Sequence, residues 1–362
     1  MGFMGTASEM RIAFILYGVA DNRSGGFLYD KFLIQKLQKR GHNVELFSQK
    51  EGNYFTLLMG NSKKLLRNLF LYNPDLIIED ELNHMSLFLI NKKIKLKVNA
   101  PILSIVHHLK SEENINKILR YFSRGIEHSF LAGCDAFIFN SINTLNSVNK
   151  LLKNTGKSYK IIYPGKDNLQ LLQRELTDDG IVRLIFVGNI IPRKNLDMVL
   201  RVLCEFTGLP WRFNICGADH YDSKYLKELH KLAAKFEGKN KIIFNGRVSD
   251  KTLTKLLSES DILIAPSKWE GFGISYLEAM RSGVIPIASI NGGAVEIIEN
   301  DRDGFLISTE NDSDLENILK KLLNNHEIIK KMIPELTRKA DKFSTWDQTM
   351  DKAVEFIESV IA

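Results

Sequence analysis

Cysteine is scarce in this chain. There are three in 362 residues, Cys134, Cys204 and Cys216. They have no metal-ligand spacing, and an odd count leaves one unpaired in any disulfide scheme. A disulfide-stapled scaffold is therefore excluded, and the expectation is three reduced, buried thiols in a cytosolic protein. The eight histidines are scattered as well, so no structural zinc is expected. No apolar run reaches the ~18 residues that a membrane-spanning helix needs. Residues 12–17 are apolar, but they are few and flanked like a strand rather than a signal-peptide core; residues 1–10 read as a disordered leader. The net charge of +6 and the pI near 8.9 are mild. With no helix-turn-helix, zinc-finger or RNA-binding signature, no nucleic-acid partner is expected. No 20–50-residue repeat is present.

The remaining composition, 44% hydrophobic and 25% charged, is that of a globular protein, and this length suggests two domains. Short apolar runs alternate with helical patterns, as in parallel sheets covered by helices. A first series of strands is predicted at 11–17, 43–48, 76–78, 102–106, 136–140 and 160–163. A helix at 27–40 is closed by Gly41. Pro164-Gly165 and a polar stretch, 167–180, interrupt the pattern. A second series follows at 182–187, 212–216, 241–245, 261–265, 284–288 and 304–307, with helix-length segments such as 196–206 and 226–236 between. The last pattern, 343–361, is helical and carries Trp346, Val354, Phe356 and Ile357. The reading is α/β: two doubly wound domains, 1–165 and 166–344, with ligands bound where the carboxyl ends of the strands face a central cleft.

Two segments of the second domain carry chemistry. Lys268-Trp269-Glu270-Gly271-Phe272-Gly273-Ile274-Ser275-Tyr276-Leu277-Glu278-Ala279-Met280 follows a buried strand with a glycine turn and then a helix. This arrangement offers backbone N–H groups and the positive end of a helix dipole to an anionic or hydroxyl-rich ligand. Eight residues separate Glu270 from Glu278, close to a multiple of 3.6, so both are expected on roughly one face about two turns apart. An isolated pair at that spacing reads equally well as a cap and a solvated helix residue. Phe186-Val187-Gly188-Asn189, followed by Arg193-Lys194-Asn195, ends a strand in a glycine and presents two adjacent cations. Gly188 permits close backbone approach, and Arg193 and Lys194 suit two phosphates. The plain alternative is a basic loop with Asn195 capping the next helix.

The first domain is less explicit. Gly25-Gly26 opens a helix after the first strand, either as a ligand-approach loop or as a flexible turn. His107-His108 and Asn140-Ser141 each end a strand. The Glu79-Asp80-Glu81 run also ends a strand; it could bind acceptor hydroxyls, but a solvated acidic loop is the favoured expectation.

Ser267-Lys268-Trp269-Glu270-Gly271-Phe272-Gly273-Ile274-Ser275-Tyr276-Leu277-Glu278-Ala279-Met280 resembles the donor-site signature of the retaining GT-B glycosyltransferases, family 4 of the glycosyltransferase classification. Several smaller matches accompany it in the family's order, over about 120 residues: Ile215-Cys216-Gly217, Phe244-Asn245-Gly246-Arg247-Val248, Ser289-Ile290-Asn291-Gly292-Gly293-Ala294-Val295-Glu296 and Asn300-Asp301-Arg302-Asp303-Gly304. The resemblance implies two Rossmann-like domains, with 345–362 crossing back to pack on the first. It implies transfer of a sugar from a nucleotide-diphosphate donor, UDP-sugar favoured, to a glycan or lipid-linked acceptor in cell-surface polysaccharide or glycolipid synthesis.

By the same resemblance Arg193 and Lys194 hold the diphosphate, Glu278 the ribose, and Glu270 with the amides of Phe272, Gly273 and Ile274 the sugar. Gly188 and Gly217 flank the nucleotide, and the backbone near Arg247 and Val248 meets the base. Gly25 and Gly26 lie beside the donor phosphate. His107 contacts the sugar or acceptor, with Asn140-Ser141 near the acceptor; the family's Asp after this His is replaced by His108. Because Arg193 and Lys194 supply the positive charge, no metal and no cofactor are expected. The alternatives are a non-catalytic nucleotide-sugar-binding or membrane scaffold of the same fold, and a GT-B sugar-nucleotide epimerase.

Cations bunch in the first half: Lys63, Lys64 and Arg67 beside Leu65, Leu66, Leu69 and Phe70; Lys92, Lys93, Lys95 and Lys97; and Lys117, Arg120 and Arg124 beside Ile118, Leu119, Tyr121 and Phe122. Basic, apolar helices suit an anionic membrane surface, and a cytoplasmic protein peripheral to the inner membrane face would carry them. The expectation favoured by patterning alone is a solvated, lysine-rich face.

Overall fold

The computed structural model describes residues 9–17, 25–49, 62–113, 116–154, 156–172, 174, 179–236 and 241–361. Most of the expected leader, residues 18–24 of the loop before Gly25-Gly26, and residues 173 and 175–178 of the polar stretch lie outside the described residues. The chain divides into two compact units, Met1–Pro164 with Trp346–Ala362, and Gly165–Thr345.

The first unit is built on β1 (Arg11–Tyr17), α1 (Gly25–Lys39), β2 (Asn43–Gln49), α2 (Ser62–Tyr72), β3 (Leu76–Asp80), α3 (His84–Leu87), α4 (Ile90–Lys97), β4 (Ile102–Val106), α5 (Lys117–Gly133), β5 (Ala136–Phe139), α6 (Ile142–Leu152) and β6 (Ser158–Ile161). The sheet is parallel, in the order β2-β1-β3-β4-β5-β6. The chain steps from β1 out to β2, then crosses back to β3, which makes the β1/β3 junction the switch point where an open sheet binds ligands. Alternate β1 residues point to opposite faces. Ala13 and Ile15 join Leu65 and Leu69 of α2, Ile90 and Ile94 of α4, and Phe130 and Leu131 of α5 in one core.

The C-terminal helix, Trp346–Ile361, packs on α1 within this unit. Trp346 is buried, stacked on Phe32 at 4.5 Å and edge-on to Tyr29. Lys36 holds Asp347 and Asp351 at 2.8 and 2.9 Å, and Arg40 holds Asp351 at 2.6 Å. The aromatic contact adds roughly 1 kcal/mol beyond area burial, more than the exposed ends of the ion pairs contribute.

The expectation of a solvated acidic loop at 79–81 is wrong. β3 runs on to Asp80, so Glu79, Asp80 and Glu81 lie inside the unit and are essentially inaccessible. Asn91 donates to Glu79 at 2.8 Å, and Asp80 accepts from the Leu82 amide at 3.0 Å to start a short 3-10 turn. Burial pushes the Glu79 carboxyl up to about 8. Cys134 and Cys216 are buried free thiols, whereas Cys204 is only half-buried.

The second unit contains β7 (Val182–Val187), α7 (Leu196–Leu203), β8 (Trp211–Cys216), α8 (Ser223–Ala233), β9 (Lys241–Gly246), α9 (Asp250–Ser258), β10 (Ile262–Ala265), α10 (Ile274–Arg281), β11 (Ile285–Ser289), α11 (Ala294–Ile297), β12 (Phe305–Ile307), α12 (Ser313–Leu323) and α13 (His326–Ala340). Its parallel sheet runs β12-β11-β10-β7-β8-β9. The switch point is therefore between β7 and β10, the strands that precede the two segments singled out in the sequence.

Candidate functional site

At the carboxyl end of β7, Gly188 has φ +152 and a side chain there would touch Lys194. A Cβ on Gly217 would lie 1.7 Å from the Gly188 carbonyl oxygen. These strand ends are joined by hydrogen bonds from Gly188 N to Cys216 O and from Gly217 N to Gly246 O, both 2.9 Å. Gly217 is thus required by backbone packing before any ligand is considered. The following 3-10 turn, Pro192–Lys194, starts on proline and ends at Asn195 in the left-handed region. Asn195 does not cap α7 with its side chain, which donates to Met198 Sδ at 3.0 Å.

This turn is tied to the loop after β10. Lys268 N donates to Arg193 O at 2.8 Å, and Arg193 Nη1 returns a hydrogen bond to Trp269 O at 2.6 Å. The Lys194 ammonium donates to Glu270 Oε2, which also accepts from Ser267 Oγ at 3.1 Å and lies 3.9 Å from Arg193 Nη1. Two cations and one carboxylate are so held together in partly buried positions at the switch point, leaving one positive charge in excess.

The Gly292-Gly293 turn supports Glu270 from behind. Cβ atoms there would lie 2.0 Å from Glu270 O and 2.2 Å from Gly271 O, and Gly293 N donates to Glu270 O at 2.9 Å.

The chain then turns through Gly273, at φ +93, where a Cβ would strike the Tyr276 ring at 2.3 Å. α10 begins at Ile274 with no side-chain cap, and Tyr276 OH donates to Ala265 O at 2.8 Å, fixing the helix to its strand. Phe272, Gly273 and Ile274 therefore carry the amides of an uncapped helix start, the setting that favours an anion.

The expected shared face of Glu270 and Glu278 does not exist. Only Glu278 is helical; the turn at 271–273 takes Glu270 off the helix, so 3.6-residue periodicity does not relate them. Glu278 instead accepts from Asn168 Nδ2, in the part of this unit that precedes β7. Burial raises its carboxyl pKa, and Asn168 counters part of that rise. Arg247 is exposed and Val248 half-buried beyond the edge strand β9. That is about 10 Å from β7 across the sheet, away from the Lys194–Glu270 pair.

In the first unit His107 follows β4, while Gly25 and Gly26 start α1. A Cβ on Gly26 would meet the His107 ring at 3.0 Å. Tyr29 packs edge-on at 5.6 Å, and Thr144 Oγ1 donates to His107 O at 3.2 Å. Asp30, Asp80 and His107 are all buried, each with one ligand-capable atom within 4.8 Å of the others, close enough to share a cation. Asp30 Oδ1 is 3.6 Å from His107 Nε2, too far for a hydrogen bond. Both Asp30 oxygens, Asp80 Oδ2 and His107 Nε2 are without hydrogen-bond partners. Burial pushes the Asp30 carboxyl up to about 7 and raises Asp80 well above the carboxylate range.

Sequence reasoning missed Asp30 and undervalued Asp80. Asp30 stands four residues after Gly26, within the Tyr29, Leu33, Ile34 and Leu37 pattern that α1 buries; a charged residue inside that stripe was the available signal. His108 lies 3.1 Å from Glu113, which also pairs with Lys110. Ser141 is the N-cap of α6, accepting from Thr144 N at 3.0 Å, and Asn140 Oδ1 accepts from Thr144 Oγ1 at 3.0 Å. Local structure thus accounts for both.

Residues 167–339 match the family model described as glycosyl transferases group 1. An uncharacterized 41.2 kDa protein of the cps region of Klebsiella pneumoniae is 30% identical over 147 residues, 41% of this chain and 37% of that protein. The chain spans less than half the length of the curated relatives it matches first. Among solved structures, sucrose-phosphate synthase from Thermosynechococcus elongatus gives a TM-score of 0.82 at 17% identity, covering 97% of this chain and 99% of that one. Anabaena HepE in complex with UDP and glucose gives 0.73 at 18%, covering 97% and 100%. Residues 167–339, just under half of the chain, are thus similar to the glycosyl transferases group 1, and the fold is the GT-B fold of two Rossmann-like domains.

Proposed function

We propose that the chain is a retaining glycosyltransferase of family 4 that moves a sugar from a nucleotide-diphosphate donor to a hydroxyl of a glycan or lipid-linked acceptor, in cell-surface polysaccharide or glycolipid synthesis. The observation that carries the reading is the joining of Arg193, Lys194 and Glu270 at the β7/β10 switch point, beside the uncapped start of α10.

In this reading Arg193 and Lys194 hold the diphosphate and take up the charge that develops on it as the sugar bond breaks, which is the larger part of the catalysis. They do so without a metal. Glu270 and the amides of Phe272, Gly273 and Ile274 bind sugar hydroxyls. Glu278 exchanges Asn168 for the ribose hydroxyls. Gly188 and Gly217 line the nucleotide, with Arg247 and Val248 toward the base and Gly25 and Gly26 beside the donor phosphate. His107 serves the sugar or acceptor. The acceptor oxygen attacks the anomeric carbon on the face from which the diphosphate departs, and the departing phosphate oxygen takes the acceptor proton. UDP is the favoured nucleotide; HepE, of like fold, is described with UDP, glucose and UDP-glucose bound.

Calorimetry and thermal shift with UDP, GDP and ADP, without added metal, test this directly. Expected is stabilisation by UDP above the others, lost in Glu278→Ala and Arg193→Ala. A folded protein that no nucleotide stabilises overturns the reading and leaves a non-catalytic scaffold.

A further inference from the structure

The three basic segments of the first half are far apart in sequence, but they share one side of the first unit. α4 packs against both α2 and α5, and the inner residues of all three enter one core, through Leu65 and Leu69, Ile90 and Ile94, and Phe130 and Leu131. Their remaining faces are turned outward. The exposed cations there are Lys63, Lys64 and Arg67 on α2, Lys92, Lys93, Lys95 and Lys97 on α4, and Lys117 and Arg124 on α5. The only acidic residue in the three helices is Glu127, and it is buried. Lys95 is paired with Asp135 at the rim.

A solvated lysine-rich face would turn its apolar residues inward, and this one does not. On the first two turns of α5, Ile118 is 66% exposed, Tyr121 79% and Phe122 59%; Leu96 of α4 is 84% exposed. Leu119 of α5, and Phe70 and Leu71 at the end of α2, are exposed as well. The apolar residues exposed together on the first two turns of α5 mark an interaction site; Leu96 lies toward the other end of that helix, where Lys95 meets Asp135. Aromatic and aliphatic side chains among cations, with no exposed acid within the three helices, match the headgroup boundary of an anionic bilayer, where rings sit at headgroup depth and ammonium groups meet phosphates. A nucleic acid would use the cations and leave the aliphatic side chains in water. Among the described residues no helix is long and apolar enough to cross a membrane, so contact through this face is shallow.

We propose that the outer face of α2, α4 and α5 docks the protein on an anionic lipid bilayer, with Ile118, Tyr121 and Phe122 at the start of α5 entering the headgroup–acyl boundary and the lysines and arginines lying over the phosphates. The proposal is independent of the donor chemistry and stands or falls separately from it.

Co-sedimentation with equimolar phosphatidylglycerol–phosphatidylcholine vesicles, against phosphatidylcholine alone, tests it. The full chain is expected to bind the anionic vesicles at least ~10-fold more tightly at low salt and to weaken as salt rises. The triple change Ile118→Ser, Tyr121→Ser, Phe122→Ser should reduce binding by roughly 10-fold or more. Lys63→Glu with Lys64→Glu should abolish the preference for anionic lipid. All three apolar positions are exposed, so the melting temperature and nucleotide binding should not change, which separates docking from folding and from the donor site. No binding to anionic vesicles at low salt overturns the proposal. So does equal binding to both vesicle types, or full binding by the triple variant.

Discussion

The clusters at the two switch points are built on opposite terms. In the second unit Lys194, Arg193 and Ser267 surround Glu270, and glycine turns bring the strands' loops into contact. In the first unit Asp30, Asp80 and His107 are more deeply buried, yet four of their polar atoms have no hydrogen-bond partner. A partnered cluster with surplus positive charge is prepared for an anion. A buried acidic one holds on to its protons, since ionising a carboxyl that is buried without a partner costs several kcal/mol. In the proposed reading the partnered cluster meets the donor's diphosphate, while the acidic cluster beside His107 ties stability to pH.

The sharpest way to break this contrast is Lys194→Ala. In the proposed reading it removes a cation from the diphosphate, and it leaves Glu270 short of its counter-charge; turnover of a UDP-sugar should fall at least ~100-fold, measured as initial rate. Retention of wild-type rate would move the chemistry elsewhere. Gly217→Ala should come next. Its methyl would press on a backbone carbonyl at 1.7 Å, and the loss of stability in urea should exceed ~3 kcal/mol. Gly208→Ala, in open space, should change stability by only a few tenths of that.

The first-unit cluster predicts a pH effect. The Asp30 carboxyl sits near 7 when folded against an ordinary value of 3.8. Between these values the folded state keeps a proton that the unfolded chain has released, so this group's contribution to stability falls as pH rises from about 4 to 7. Asp30→Asn should flatten that slope and gain stability at neutral pH by on the order of 1 kcal/mol or more, read from melts across the pH range. An unchanged slope would mean that Asp30 does not titrate as a buried carboxyl. The smallest effect is expected at Ser141. Its removal as a helix cap by Ser141→Ala should cost ~1 kcal/mol and leave acceptor kinetics unaltered; a rise in acceptor KM at constant stability would return it to the site.

Strand positions were legible because buried parallel strands read as continuous apolar runs. Arg11–Tyr17, Ile102–Val106 and Val182–Val187 fall where those runs stand. β3 was read too short because its last residues, Glu79 and Asp80, are charged, and nothing local distinguishes a buried acid from a solvated one. The face shared by Glu270 and Glu278 was misread for a related reason. Helical periodicity was extended across Gly271–Gly273, where the backbone at Gly273 leaves the helical region.

What the chain order alone determined was therefore the list of parts: two series of parallel strands, the glycines that end them, and the Arg193-Lys194 and Glu270–Glu278 segments. Apolar periodicity and glycine placement act over a few residues, and they can be read over a few residues. Only the tertiary structure decided which parts meet. It set Lys194 against a carboxylate 76 residues away, buried Asp30 with Asp80 and His107 from three separate elements, and left Ile118, Leu119, Tyr121 and Phe122 of α5 outside the core. Pairing across strands, and the burial of a charge, depend on what the sheet order brings alongside, and no local pattern contains that order.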